Sequence, residues 1–136
     1  PQAQKGRPAK TINYNLVPSA IFTAPEIASA GLSLTQAQAQ TPGSKAHDFL
    51  FRQLGKAQAM NETDGLTRLV CAPDGTILGG QIIGPCATSL IGEIGLAVQQ
   101  GLKATDLANT IHAHPTLPEG IWEAALSACG KPLHGN

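Results

Sequence analysis

The sequence predicts a single α+β domain, a mainly antiparallel sheet with helices packed on one face. Two observations carry this. Strand-like runs and tight-turn residues fill the chain up to Ile83, and helical periodicity takes over from Ala87. Strands placed before helices, rather than alternating with them, give segregated layers. Within the strand part, Leu66 to Ala72 and Thr76 to Ile83 flank Pro73-Asp74-Gly75, the clearest hairpin in the chain, because glycine supplies the positive φ that a tight turn needs. With 136 residues there is room for one core and not two, a domain of this size burying roughly two-thirds of its unfolded surface.

Taken in order, Pro1 to Lys10 is polar and linker-like, and residues 1–16 are expected to form a flexible joint ahead of a domain over 17–136. Val17 to Phe22 is an apolar run with β-formers, stopped by Thr23-Ala24-Pro25-Glu26 and followed by a turn. Ser33 is an N-cap for a short, half-exposed helix over Leu34 to Gln40, which Pro42-Gly43 ends. His47 to Gln53 is a second strand and Gly55 to Thr63 a polar loop. Gly79-Gly80, inside the second arm of the hairpin, points to a bulge or to close approach of another backbone. Leu90, Ile91, Ile94, Leu96, Ala97 and Val98 recur near helical spacing within Ala87 to Gln100, with Gly101 as C-terminal cap. Thr105 caps a shorter helix over Asp106 to Thr110, and a last helix runs from Pro118 to Cys129, where Gly130 stops it. There is no internal repeat.

The 13% charged residues and zero formal net charge favour association over isolation. They give no basic footprint for nucleic acid, and few aromatics (Tyr14, Phe22, Phe49, Phe51, Trp122) are available to stack on bases. Cys71, Cys86 and Cys129 are odd in number and widely spaced, so reduced thiols in a cytoplasmic setting are expected, as small buried apolar side chains. No apolar run approaches the ~20 residues of a membrane span. No cluster has metal-ligand spacing.

The chemistry concentrates in His112-Ala113-His114-Pro115-Thr116-Leu117-Pro118-Glu119. Pro115 restricts the backbone of His114, and Pro118 at a helix start leaves Glu119 in the first turn, so the imidazole and the carboxylate can meet each other, or their equivalents across a dimer, as a base and its orienting acid. Spacing alone favours the plainer reading, in which Thr116 and Glu119 make only a capping box, since Thr-x-x-Glu is a common helix-start pattern. His47 and His134 have no carboxylate at useful spacing and are read as ordinary surface or core histidines.

The His-Ala-His-Pro-Thr-Leu-x-Glu segment resembles the C-terminal signature of the dihydrolipoamide dehydrogenases within the pyridine nucleotide-disulfide oxidoreductase family. The resemblance extends back through Val17-Pro18-Ser19, Phe22-Thr23-x-Pro25-Glu26-Ile27-Ala28, Gly31, Thr63-Asp64-Gly65 and Leu78-Gly79-Gly80-x-Ile82-Ile83-Gly84-Pro85, covering nearly all of Val17 to Lys131. It implies the interface domain of a homodimeric flavoenzyme, in which His114 takes a proton from a dihydrolipoamide dithiol for the partner subunit's active site. Glu119 orients that imidazole. The thiolate then reduces a disulfide, and electrons pass through FAD to NAD. The backbone of His114 and Pro115 would approach the partner's flavin, a position compatible with a cis peptide, and His112 would be structural. A 2-oxo-acid dehydrogenase complex is an implied partner.

Two positions depart from the family's usual residues, Ala24 and Pro118, while Leu117 favours lipoamide over the glutathione-type disulfides, whose reductases usually carry serine there. The sequence has no Gly-x-Gly-x-x-Gly and no Cys-x4-Cys pair. This chain alone is therefore expected to bind neither FAD nor NAD and to be inactive, the cofactors belonging to other domains of the intact parent. A stand-alone dimerisation or adaptor module, or a reductase of another low-molecular-weight disulfide, are the competing readings.

Overall fold

The hairpin turn organises the sheet. Asp74 accepts hydrogen bonds from the Thr76 amide and hydroxyl, both at 3.0 Å, while Gly75 sits at φ +86. The arms it joins are β4 (Leu66–Cys71) and β5 (Ile77–Gly84), paired from Leu66↔Ile83 to Cys71↔Ile77. The computed structural model describes residues 12–134. Around the hairpin lie β1 (Ser19–Ile21), β2 (Glu26–Gly31) and β3 (Lys45–Leu50), giving one antiparallel sheet in the order β1-β2-β5-β4-β3. The helices are α1 (Leu34–Gln40), α2 (Gly55–Met60), α3 (Ala87–Gln100), α4 (Ala104–Ala108) and α5 (Glu119–Ala128).

Helices α3 and α5 share one face of the sheet. A Cβ on Gly80 would meet Ile94 of α3, and one on Gly120 of α5 would lie 3.1 Å from Thr67 Oγ1. Thr67 and Leu69 point the same way as their cross-strand partners Ile82 and Gly80. The core they enclose includes Phe49, Leu69, Ile82, Ile94 and Ile121, all nearly or fully buried, each contributing roughly 1.5–3 kcal/mol of transfer free energy. On the opposite face Ile21, Ile27 and Ile83 are cross-strand neighbours and remain 37–47% exposed.

The α+β arrangement is the one read from the sequence, and several boundaries differ. The joint predicted over 1–16 falls largely outside the described residues; of its remainder, Tyr14–Leu16 form a 3-10 turn capped by the Asn13 side chain. The strand predicted over Val17 to Phe22 shrinks to three exposed residues. The turn expected after it opens at once into β2, whose small alternating residues carry little β-signal, and only burial of Ala28 and Ala30 under α3 makes it a strand. The strand expected over His47 to Gln53 spans Lys45–Leu50 and tightens into a 3-10 turn at Phe51–Gln53. Gly55 to Thr63, predicted as loop, contains α2. It has no capping side chain to announce it and is held by buried Ala57 and by Asn61 in the left-handed region. Helix α4 starts earlier than expected because Asp106, not Thr105, makes the cap, accepting from the Lys103 amide at 2.7 Å. Ser33 and Gln36 form the capping box of α1.

The glycine pair marks a close approach. A Cβ on Gly79 would stand 2.3 Å from Leu32 O, and the irregularity itself lies between Val70 and Cys71, where Leu78 is the extra residue.

Candidate acid-base site

The ten residues between α4 and α5 form a loop, His114-Pro115 being cis, and each end of the loop is tied down. The Trp122 indole of α5 donates to Ala108 O at 2.9 Å. Thr116 Oγ1 donates to Ala113 O at 2.6 Å. His112 is anchored through both ring nitrogens, Nδ1 to Thr110 O at 3.0 Å and Nε2 to Glu93 Oε1 of α3 at 2.9 Å, beside Trp122. With 7% of its side chain exposed and both ring nitrogens in hydrogen bonds within the protein, His112 holds the loop.

Two residues on, His114 is the opposite case. Its Nδ1 lies 2.8 Å from Glu119 Oε1, and its side chain is 76% exposed while that of Glu119 is 14% exposed. Glu119 Oε2 accepts from the Thr116 amide at 2.7 Å. One carboxylate therefore serves both sequence readings, closing half a capping box with one oxygen and orienting the imidazole with the other. Because an ionised carboxylate only accepts, Nδ1 of His114 carries the hydrogen, and Nε2 is the basic nitrogen facing outward. Burial pushes the Glu119 carboxyl up, but the Thr116 amide, the His114 hydrogen bond and the nearby His114 and His112 rings together outweigh it and hold the group below its ordinary 4.5.

His134 corrects the sequence reading, which gave it no carboxylate partner. Glu123, one turn after Glu119 on α5, has its side chain 2% exposed and lies 2.5 Å from His134 Nδ1. The same carboxylate accepts from the Leu133 amide at 3.2 Å and the His134 amide at 3.5 Å. Gln53 Nε2 donates to His134 O at 2.9 Å. A cleft of 420 Å³ runs between Ile111, His112, His114, Trp122, Leu133 and His134, and a recess of 270 Å³ on the other side of the dyad reaches Gln53 and Glu123. The sequence signal for this pair, a glutamate inside an apolar helix and a histidine eleven residues later, was there but has no regular spacing.

Elsewhere, His47 is half-buried on β3, its pKa lowered by burial and by the neighbouring Lys45. The three cysteines are free, and only Cys71 is the buried apolar residue expected. Burial pushes its thiol up to about 11. Cys86 is exposed, and it takes the left-handed conformation just before α3, where its side chain makes no capping hydrogen bond. Its backbone leaves the start of α3 to Glu26, which the sequence reading passed over and which accepts from the Thr88 amide at 2.9 Å and hydroxyl at 2.7 Å. A larger hollow, 520 Å³ between Glu26, Met60, Asp64 and Cys86, contains no histidine and lies apart from the dyad. Among the described residues no three His, Cys, Asp or Glu side chains converge as metal ligands.

The family profile described as pyridine nucleotide-disulphide oxidoreductase, dimerisation domain, matches residues 17–125. The dihydrolipoyl dehydrogenase of Geobacillus stearothermophilus is 45% identical over 134 residues, 98% of this chain and 28% of that protein. That of Chlamydia trachomatis is 51% identical over 124 residues, 90% of this chain and 27% of that protein. The crystal structure of LpdA from Mycobacterium tuberculosis superposes with a TM-score of 0.83 at 28% identity, covering 90% of this chain and 27% of that one. The Escherichia coli flavoprotein disulfide reductase RclA, at 20% identity and a TM-score of 0.76 over 82% of this chain and 25% of its own, shares the fold. The chain thus spans little more than a quarter of the length of the curated relatives it matches.

Proposed function

The chain belongs to the dimerisation-domain family of the pyridine nucleotide-disulphide oxidoreductases, and from that premise we propose that it supplies the acid-base pair of a dihydrolipoamide dehydrogenase to the active site of a partner subunit. One observation carries the reading: an outward imidazole is held by an inward carboxylate, His114 Nδ1 on Glu119 at 2.8 Å. A base so exposed in its own subunit reaches a dry environment only when another surface closes over it.

In the reaction, Nε2 of His114 takes a proton from one thiol of dihydrolipoamide. The resulting thiolate attacks the active-site disulfide of the partner, forming a mixed disulfide and releasing a cysteine thiolate. Glu119 keeps the proton on Nδ1 and balances the imidazolium that forms. The second substrate thiol then gives its proton to the cysteine thiolate just released, attacks the mixed disulfide and closes lipoamide, leaving both cysteines reduced. FAD, which other parts of the parent enzyme would hold, would supply the route by which the electron pair reaches NAD. This chain has no phosphate-cradling glycine loop for either cofactor, and what it offers the partner's flavin is the exposed stretch at His114 and Pro115. By itself it is inactive.

The exposed Phe22, Ile111 and Leu133, at 80%, 97% and 62%, suit a surface that association buries. Residues 17–136 form the domain in this reading and 1–16 the joint to the nucleotide-binding part. Among the described residues no helix is long and apolar enough to cross a membrane, in keeping with a cytoplasmic enzyme serving a 2-oxo-acid dehydrogenase complex. Leu117 is buried at 7%, so any bearing it has on lipoamide over glutathione-type disulfides is exerted through the loop and not by contact.

In the intact flavoenzyme, His114→Gln is expected to lower dihydrolipoamide oxidation about 10²–10⁴-fold while sedimentation still shows the dimer. Near-normal turnover in that variant removes the base assignment.

A further inference from the structure

The second histidine-glutamate pair lies outside the reaction just described, and it borders the same cleft. Glu123 is almost wholly buried, yet all three donors it receives come from Leu133 and His134, ten and eleven residues further on. A buried carboxylate is stable only when hydrogen-bonded, so its desolvation is offset by drawing the segment at Leu133 and His134 over the site. Gln53 fastens the same segment from the sheet side through His134 O. The outcome reproduces the electronic arrangement of the first pair, Nδ1 engaged by a carboxylate and Nε2 open, on a ring 66% exposed that lines both the cleft and the recess together with His114.

We propose that His134 is a positioning residue of this site, latched over the cleft by Glu123, whose free Nε2 hydrogen-bonds the polar end of the substrate that His114 deprotonates. The cleft suits a substrate with an apolar stem, since Ile111, Trp122 and Leu133 line it, and an amide N–H beyond that stem is the donor that His134 Nε2 can accept from, the ring hydrogen being on Nδ1 towards Glu123. A dithiol on an acyl-amide chain has both parts. This rests on the assignment of His114 as base, and the test keeps the two apart.

In the intact flavoenzyme, with dihydrolipoamide as probe, His134→Ala is expected to raise KM about five-fold with kcat within two-fold, the pattern of one lost hydrogen bond made equally in ground and transition states. In the present chain, the imidazole NMR signals of His114 are expected to move in His134→Ala and again in Glu123→Leu. The latter removes the acceptor while its donors, all on Leu133 and His134, return to water, so the domain keeps its fold. An unchanged KM in His134→Ala overturns the inference and leaves His114 as base. Full turnover in His114→Gln instead removes the base, and with it the substrate contact proposed for His134. Unmoved His114 signals in both chain variants overturn the latch whatever the turnover.

Discussion

Glu93 Oε1 lies 2.9 Å from His112 Nε2, so the middle of α3 grips the loop two residues ahead of His114. The length and direction of α3 are fixed by its packing on β2 and β5, which makes the grip a rigid one. His112→Ala, losing two hydrogen bonds and the contact with Trp122, is expected to destabilise the domain by about 2–4 kcal/mol in denaturant unfolding. Glu93→Gln keeps an acceptor oxygen and should cost about 1 kcal/mol or less.

Thr67 Oγ1 is a buried hydroxyl without a hydrogen-bond partner. Thr67→Val replaces it with a methyl of similar shape under Gly120, and the expected result is stabilisation by about 1 kcal/mol, read as a higher urea midpoint at unchanged slope.

Two glycines should respond with opposite sign. Gly79→Ala places a Cβ against the fixed backbone of Leu32, and the domain should lose about 3 kcal/mol or more. Gly92 is exposed in α3 with open space where a Cβ would go, so Gly92→Ala should add about 0.5–1 kcal/mol. Melting temperatures of the two variants, compared with the parent chain, test the pair.

Glu119 has a definite pH signature. Its folded carboxyl titrates below the ordinary 4.5, so the stabilisation it provides is complete above the unfolded value and is lost as pH falls through the folded one. The stability of the wild-type chain should therefore exceed that of Glu119→Gln at about pH 7, with the gap narrowing towards about pH 3. A gap of constant size across that range would mean that the carboxylate is not held ionised by Thr116 and His114.

The hairpin, α1 and α3 were legible because each carries its own local signature: a turn glycine, a capping serine, a 3.6-residue apolar repeat. Strand β2 and helix α2 were not, because Ala28, Ala30 and Ala57 take their structure from what covers them and not from their own propensities. The dyad of His114 and Glu119 was legible because five residues of sequence and two prolines bring the side chains together. Glu26 at the start of α3 and Glu123 under His134 act across 62 and 11 residues, and such distances leave no periodic trace.

Strand β1 has three paired residues, with Pro18 immediately before it, and the opposite rim, β3, carries Lys45 and Asp48 exposed. A sheet with rims like these resists growth by strand addition, since one side offers almost no ladder and the other sets charges against any incoming backbone. Copies of the domain can therefore meet through helices, loops and the apolar sheet face while being discouraged from the continuous pairing that leads to fibres.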